Sequence, residues 1–220
     1  MSGGTGWAGR AYATFAFGPA AAIYEALTGG EGWRRDCREM AARVAGPRVL
    51  DLGIGPGTSA IEMARVDPSR SHVGLDLSAR MVAVAAVRAR SAGVPLALVR
   101  GDGLALPFRS AAYDGATGHS YLYLLPDPQA GLAEVCRVLR PGGTAAFLEP
   151  AAGPASPRQA LRDGPRHLLA MVMWRGMSRL HRRFDAALLG GLAREAGLVE
   201  VAVETVMAGY GLVVTGRRPG

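Results

Sequence analysis

Residues 49–58 read VLDLGIGPGT. An apolar, strand-like run ends at Asp51, and glycines then fall at the alternate positions 53, 55 and 57, ahead of a helix-like stretch, TSAIEMARV. A strand, a tight glycine turn and a helix together form a nucleotide-binding element. Glycine allows positive φ and close approach to the backbone, and the start of the following helix offers free N–H groups. Taken alone, the pattern fits a tight turn with no ligand as well. It still constrains the architecture, because such units build a parallel sheet covered by helices on both faces.

The rest of the chain keeps that rhythm. SHVGLDL reads as a strand, and SARMVAVAAVRARSAG as a helix with Ser78 as N-cap and Gly93 just past its end. PLALVRGD and YDGATGHS are strands, and DPQAGLAEVCRVLRPGG is a helix opened by Asp127 and stopped at Pro141-Gly142-Gly143. TAAFLEP is the fifth strand. Two helices are expected ahead of the glycine loop, over 10–28 and 31–45, separated by Gly29-Gly30. Residues 151–182 break the rhythm with a loop-like AAGPASP stretch, followed by one or two helices with Leu169, Met173, Met177 and Leu180 on one helical face. A helix capped by Asp185 and closed by Gly197 comes next, and LVEVAVETV and GYGLVVTGRR lie close enough to form an antiparallel hairpin. The expectation is an α/β fold: a Rossmann-like doubly wound sheet of seven strands with an antiparallel final hairpin. One domain is expected, with N-terminal helices over 1–46, a cofactor-binding core over 47–150, a helical lid insertion over 151–182, and the last helix and hairpin over 183–220.

Composition narrows the function classes. A chain of 220 residues that is 49% hydrophobic and 20% charged buries a sizeable core. The sequence lacks an apolar run of membrane-spanning length, and the N-terminus lacks a secretory pattern, so a cytoplasmic location is expected. Cys37 and Cys136 fit no metal spacing and read as isolated thiols, and no metal is expected. A net charge of +7 invites a nucleic-acid partner. However, every one of the 25 basic residues is arginine, and they read as scattered, adjacent only at 34–35, 182–183 and 217–218. Scattered charge reads as a solvated surface, and no nucleic-acid partner is expected.

Asp76 ends the second strand close to 20 residues after the glycine loop, where a carboxylate can accept from ribose hydroxyls. Two features depart from a dinucleotide site: Thr58 stands where that fingerprint has glycine, and a third acid, Asp102, follows the third strand in RGDGLALPF. With VLDLGIGPG, GLDLS, GDGLALPF and YDGATGHSYLYLLPDPQAGLAEVCRVLRPGG in this order, the chain resembles the class I S-adenosylmethionine-dependent methyltransferases over residues 49–150. The resemblance implies S-adenosyl-L-methionine as cofactor. Asp51 and the Gly53, Gly55 and Gly57 backbone match positions at its amino-acid end. Asp76 matches the ribose position, Leu77, Asp102 and Gly103 the adenine positions, and His119 the methionine position. The long motif and the N-terminal helices are most similar to the small-molecule branch, which includes quinone-biosynthesis C-methyltransferases and phospholipid N-methyltransferases. Tyr12 is the nearest match to the tyrosine that closes over the cofactor in that branch.

Methyl transfer from a sulfonium depends mostly on positioning the acceptor, because the leaving group is already good. His119, His181 and Tyr121 are the catalytic candidates, weighed against packing or surface roles. Tyr123 is a candidate for the acceptor pocket, and Glu149 fits either an acceptor contact or a loop hydrogen bond. Residues 151–182 are expected to cover the acceptor. Met171, Met173, Trp174 and Met177 would form an adaptable apolar wall, and Arg166, Arg175 and Arg179 would meet an acidic group or anionic headgroups. The expected activity is O-, C- or N-methylation of a small, largely apolar or lipid-like acceptor. The alternatives are a phospholipid N-methyltransferase in peripheral contact with the inner membrane face, and a non-catalytic S-adenosylmethionine-binding protein.

Overall fold

The structure, a computed structural model, describes residues 29–220. The helix expected over 10–28, with Tyr12, lies outside the described residues. Helix α1 (Glu31–Ala41), shorter than the helix expected over 31–45, buries Trp33, Cys37, Met40 and Ala41 along one apolar stripe. Strand β1 (Arg48–Leu52) leads through the glycine loop into α2 (Thr58–Val66). Then come β2 (Ser71–Asp76), α3 (Ala79–Ser91), β3 (Leu96–Arg100), β4 (Tyr113–His119), α4 (Pro128–Val138) and β5 (Leu139–Pro150). A single turn α5 (Pro157–Ala160), α6 (Pro165–Ser178), α7 (Ala186–Glu195), β6 (Val199–Val206) and β7 (Gly211–Arg217) complete the chain.

The seven strands form one sheet in the order β3-β2-β1-β4-β5-β7-β6. The pairs among β1 to β5 are parallel, and β7 runs antiparallel to both β5 and β6. The ends of β1 to β4 therefore converge on one edge: Leu52, Asp76, Arg100 and His119. The caps agree with the sequence, since the Ser78, Asp127 and Asp185 side chains accept from the backbone N–H of Met81, Ala130 and Leu188. The Pro141-Gly142-Gly143 run plays a different part from the one expected. Helix α4 already ends at Val138, Leu139 pairs with Tyr113, and the register then slips before Thr144 meets Gly115. A proline disfavours the helical region for the residue before it, and Gly142 sits at φ 77°, so the run forms a bulge inside β5.

Apolar side chains cover both faces of the sheet. One cluster includes Leu132, Val135 and Val138 of α4 with Leu189 and Ala193 of α7. The other joins Trp33, Cys37 and Met40 of α1 to Met171 and Trp174 of α6 and to Val49, Ala146 and Leu148 of the sheet. Trp33 and Trp174 meet edge to face, 5.7 Å between centroids. Trp174 and Met171 are fully buried there, so these two residues are core and not an exposed acceptor wall. The buried Glu62 of α2 accepts from Arg38 of α1 and from Arg65, each at 2.7 Å, and Arg35 reaches Asp163 at 2.7 Å. These pairs fix α1 between α2 and the segment leading into α6. Among the described residues, no helix is long and apolar enough to cross a membrane.

Candidate cofactor and active site

Gly53, Gly55 and Gly57 all have positive φ, at 62°, 52° and 85°. They are excluded from carrying side chains for different reasons. A Cβ on Gly53 would lie 2.7 Å from the Tyr121 ring, and one on Gly57 would lie 3.2 Å from Ala85 of α3. Among the described residues, a Cβ on Gly55 would meet nothing closer than the Gly53 carbonyl at 3.9 Å. Among the described residues, Gly55 is thus the position where the loop leaves open space beside its backbone.

Asp51 is fully buried beneath the loop. Its carboxylate accepts from Ser59 Oγ at 2.5 Å and Thr117 Oγ1 at 3.1 Å, and His119 Nδ1 stands 4.0 Å away. Burial raises the Asp51 pKa to about 6, against the lowering effect of the two hydroxyls. Asp76 is also buried, and it braces the loop: Oδ2 accepts from the Gly55 N–H at 2.9 Å and Oδ1 from the Ser78 N–H at 2.8 Å. Asp102 is exposed, and its Oδ1 accepts from the Leu104 N–H. Leu77 is about half exposed beside Asp76.

Tyr121 connects two of these loops. Its ring lies against Gly53, and a Cβ on Gly103 would fall 1.8 Å from its hydroxyl. The hydroxyl is buried with no hydrogen-bond partner among the described residues, and burial raises its pKa. Both His119 nitrogens are likewise buried and without partners there, and burial lowers that pKa to about 4. The imidazole is therefore neutral near pH 7. His181 packs edge-on against Tyr123, 5.7 Å between centroids, which brings the end of the 151–182 segment to the turn after β4. Met173 and Met177 are partly exposed on α6.

Glu149 is buried at the end of β5 and accepts from the N–H groups of Tyr121, Leu122 and Tyr123 at 2.7–3.1 Å. Of its two expected roles, the loop hydrogen bond is the one observed, and it shapes the turn that carries Tyr121. Ser59 and Thr117 were not singled out from the sequence. A hydroxyl in the helix following a glycine loop, next to a strand-end acid, was the available signal for Ser59.

The structure thus gathers Asp51, the glycine loop, Asp76, Tyr121 and His119 at one edge of the sheet. Among the described residues, unpartnered polar atoms, open space over Gly55 and a buried acid form a cradle whose chemistry suits an ammonium-bearing nucleoside. The titration of Asp51 gives a test. If Asp51 holds an α-ammonium, as the resemblance implies, the ionised acid is required, and affinity for S-adenosylhomocysteine should fall about tenfold from pH 7 to pH 5, with its midpoint near pH 6. In the ligand-free protein the sign reverses. The raised pKa means the folded state holds the proton more tightly, so the stability contributed by Asp51 is present at low pH and lost as pH rises through 6. Calorimetric titration across this range checks the first effect, and an Asp51→Asn protein should lose the pH step.

Residues 49–143 match a family described as a methyltransferase domain. A demethylmenaquinone methyltransferase from Thermus thermophilus is 35% identical over 53% of this chain and 53% of its own length. A demethylmenaquinone methyltransferase from Desulfitobacterium hafniense is 28% identical over 86% of this chain and 80% of its own. The chain spans about half the length of most of the curated relatives it matches. Among solved structures, the cyclase SpnF superposes with a TM-score of 0.72 at 19% identity, covering 96% of each chain. At that identity the likeness concerns the fold.

Proposed function

We propose that this chain, a member of the class I S-adenosylmethionine-dependent methyltransferases related to the quinone-biosynthesis enzymes, methylates a small, largely apolar acceptor, with a quinone-type ring as the preferred class. One observation carries the reading: buried Asp51, the open backbone at Gly55 and Asp76 meet at the carboxyl edge of β1 and β2. S-adenosylmethionine, when bound, supplies an electrophilic methyl group on a sulfonium. Asp51 would hold the ammonium, the loop backbone the carboxylate, and Asp76 the ribose hydroxyls. Leu77, Asp102 and Gly103 would border the adenine, and His119 the methionine chain. The low pKa of His119 suits a neutral lining group better than a general base, because a base works best with a pKa near the operating pH. The remaining contribution of the protein is alignment of the acceptor and exclusion of water.

The names of the relatives, demethylmenaquinone methyltransferases among them, support a quinone-type acceptor. A phospholipid acceptor and a non-catalytic binding role remain the rival readings, and the cyclase on the same fold is a reason to measure turnover as well as binding. Gly55→Val separates a ligand loop from a bare turn. A β-branched residue at φ 52° is strained, costing about 1–2 kcal/mol, and its side chain enters the open space. Affinity for S-adenosylhomocysteine should drop more than tenfold in protein that is still folded by circular dichroism. Unchanged affinity would reduce the loop to a turn.

A further inference from the structure

Helix α6 is apolar on the side turned to the core and on the side turned away from it. Ala170, Met171 and Trp174 are buried, whereas Leu169 and Val172 on the opposite side are each 50% exposed. Leu180 just beyond the helix is 71% exposed, and Leu161 just before it is 49% exposed. Exposed faces of surface helices are normally polar, so this stripe lacks the usual reason for facing water.

Charge is concentrated on the same segment. Residues 151–183 hold seven arginines and a single acidic residue, Asp163, so nearly the whole +7 of the chain resides there. Asp163 is engaged by Arg35. Arg158, Arg162 and Arg179 are exposed, and Arg183 has its pKa lowered by burial and by the neighbouring Arg175 and Arg179. The arginines are therefore not evenly scattered as the linear sequence suggested. The segment also borders the site: Arg175 donates to the Gly153 carbonyl at 2.7 Å, just past the end of β5, and His181 rests on Tyr123.

We propose that the outer face of α6, with Leu161, Leu169, Val172 and Leu180 at its centre and arginines at its rim, is a docking surface for an anionic lipid bilayer. A helix lying in the interface buries an apolar stripe while basic side chains meet acidic headgroups. Net positive charge favours this partner over a neutral apolar protein face. The surface adjoins the carboxyl edge of the sheet, so a lipid-borne acceptor would enter the site without crossing water. Only that route rests on the proposed methyl transfer; docking itself is measured without turnover.

The test is co-sedimentation of the full chain with vesicles of phosphatidylglycerol and phosphatidylcholine, against vesicles of phosphatidylcholine alone. Partition should be at least tenfold stronger on the anionic vesicles and fall steeply with added salt. The double variant Leu169→Glu/Val172→Glu, and separately Arg158→Ser/Arg162→Ser, should each lose most of that binding while keeping S-adenosylhomocysteine affinity and thermal unfolding unchanged. Equal binding to both vesicle types, or variants that bind like the parent, would overturn the proposal. A large fall in unfolding temperature for the Glu variant would show that the chain itself covers this face. A parent dimer that the Glu variant dissociates would show a protein interface. Either of these results overturns it as well.

Discussion

Asp76→Ala is expected to weaken S-adenosylhomocysteine binding by at least tenfold and to cost about 1–3 kcal/mol of stability. The two losses have distinct origins. Hydrogen bonds from ribose hydroxyls to a carboxylate contribute about 1.5–3 kcal/mol each, and the variant removes their acceptor. It also strips the Gly55 and Ser78 N–H groups of theirs, which loosens the glycine loop and the start of α3. Calorimetry reads the first effect and denaturant unfolding the second. Asp76→Asn refines the partition, since an amide keeps one oxygen for a backbone donor but lacks the charge. Full affinity in the alanine variant would remove Asp76 from the site.

Glu149→Ala is expected to destabilise the protein by about 3 kcal/mol, because three buried N–H groups lose a shared acceptor. The turn carrying Tyr121 should loosen with it, so cofactor affinity falls although Glu149 touches no cofactor in this account. Burial raises the Glu149 pKa to about 8. The folded state therefore holds its proton more tightly than the unfolded chain, and the associated stability is lost as pH rises from about 4.5 to 8. The alanine variant should lack that slope, which urea titrations at several pH values would reveal. An unchanged slope would assign the pH dependence elsewhere.

Much of this architecture is legible in the residues. The glycine loop, the three capping side chains and the strand-helix alternation depend on local chemistry, and local chemistry is written in short windows. Asp51, Asp76 and Asp102 were recognisable because each lies at or just past the carboxyl end of a parallel strand. What escaped the sequence depends on contacts far along the chain. Gly53 and Gly103 are small because of Tyr121, which lies 68 and 18 positions away and reaches both only once the sheet has formed. Glu149 serves a turn some 26–28 residues earlier. Trp174 and Met177 belong to one apolar-looking helix, yet only the fold decides that the first is core and the second lies at its margin. The arginines likewise read as scattered until helix α6 separates a buried side from an exposed one.

Transfer of a radiolabelled methyl group from S-adenosylmethionine to an organic-extractable acceptor tests the central claim most directly. The purified chain would be incubated with the labelled cofactor and a demethylated naphthoquinol carrying a short isoprenoid tail, with phosphatidylethanolamine vesicles in a parallel reaction. The account predicts label in the extracted quinol, formed in step with S-adenosylhomocysteine and lost in the Asp76→Ala protein. Tight binding of S-adenosylhomocysteine with no label leaving the donor would contradict it, and label in the phospholipid alone would contradict the choice of acceptor.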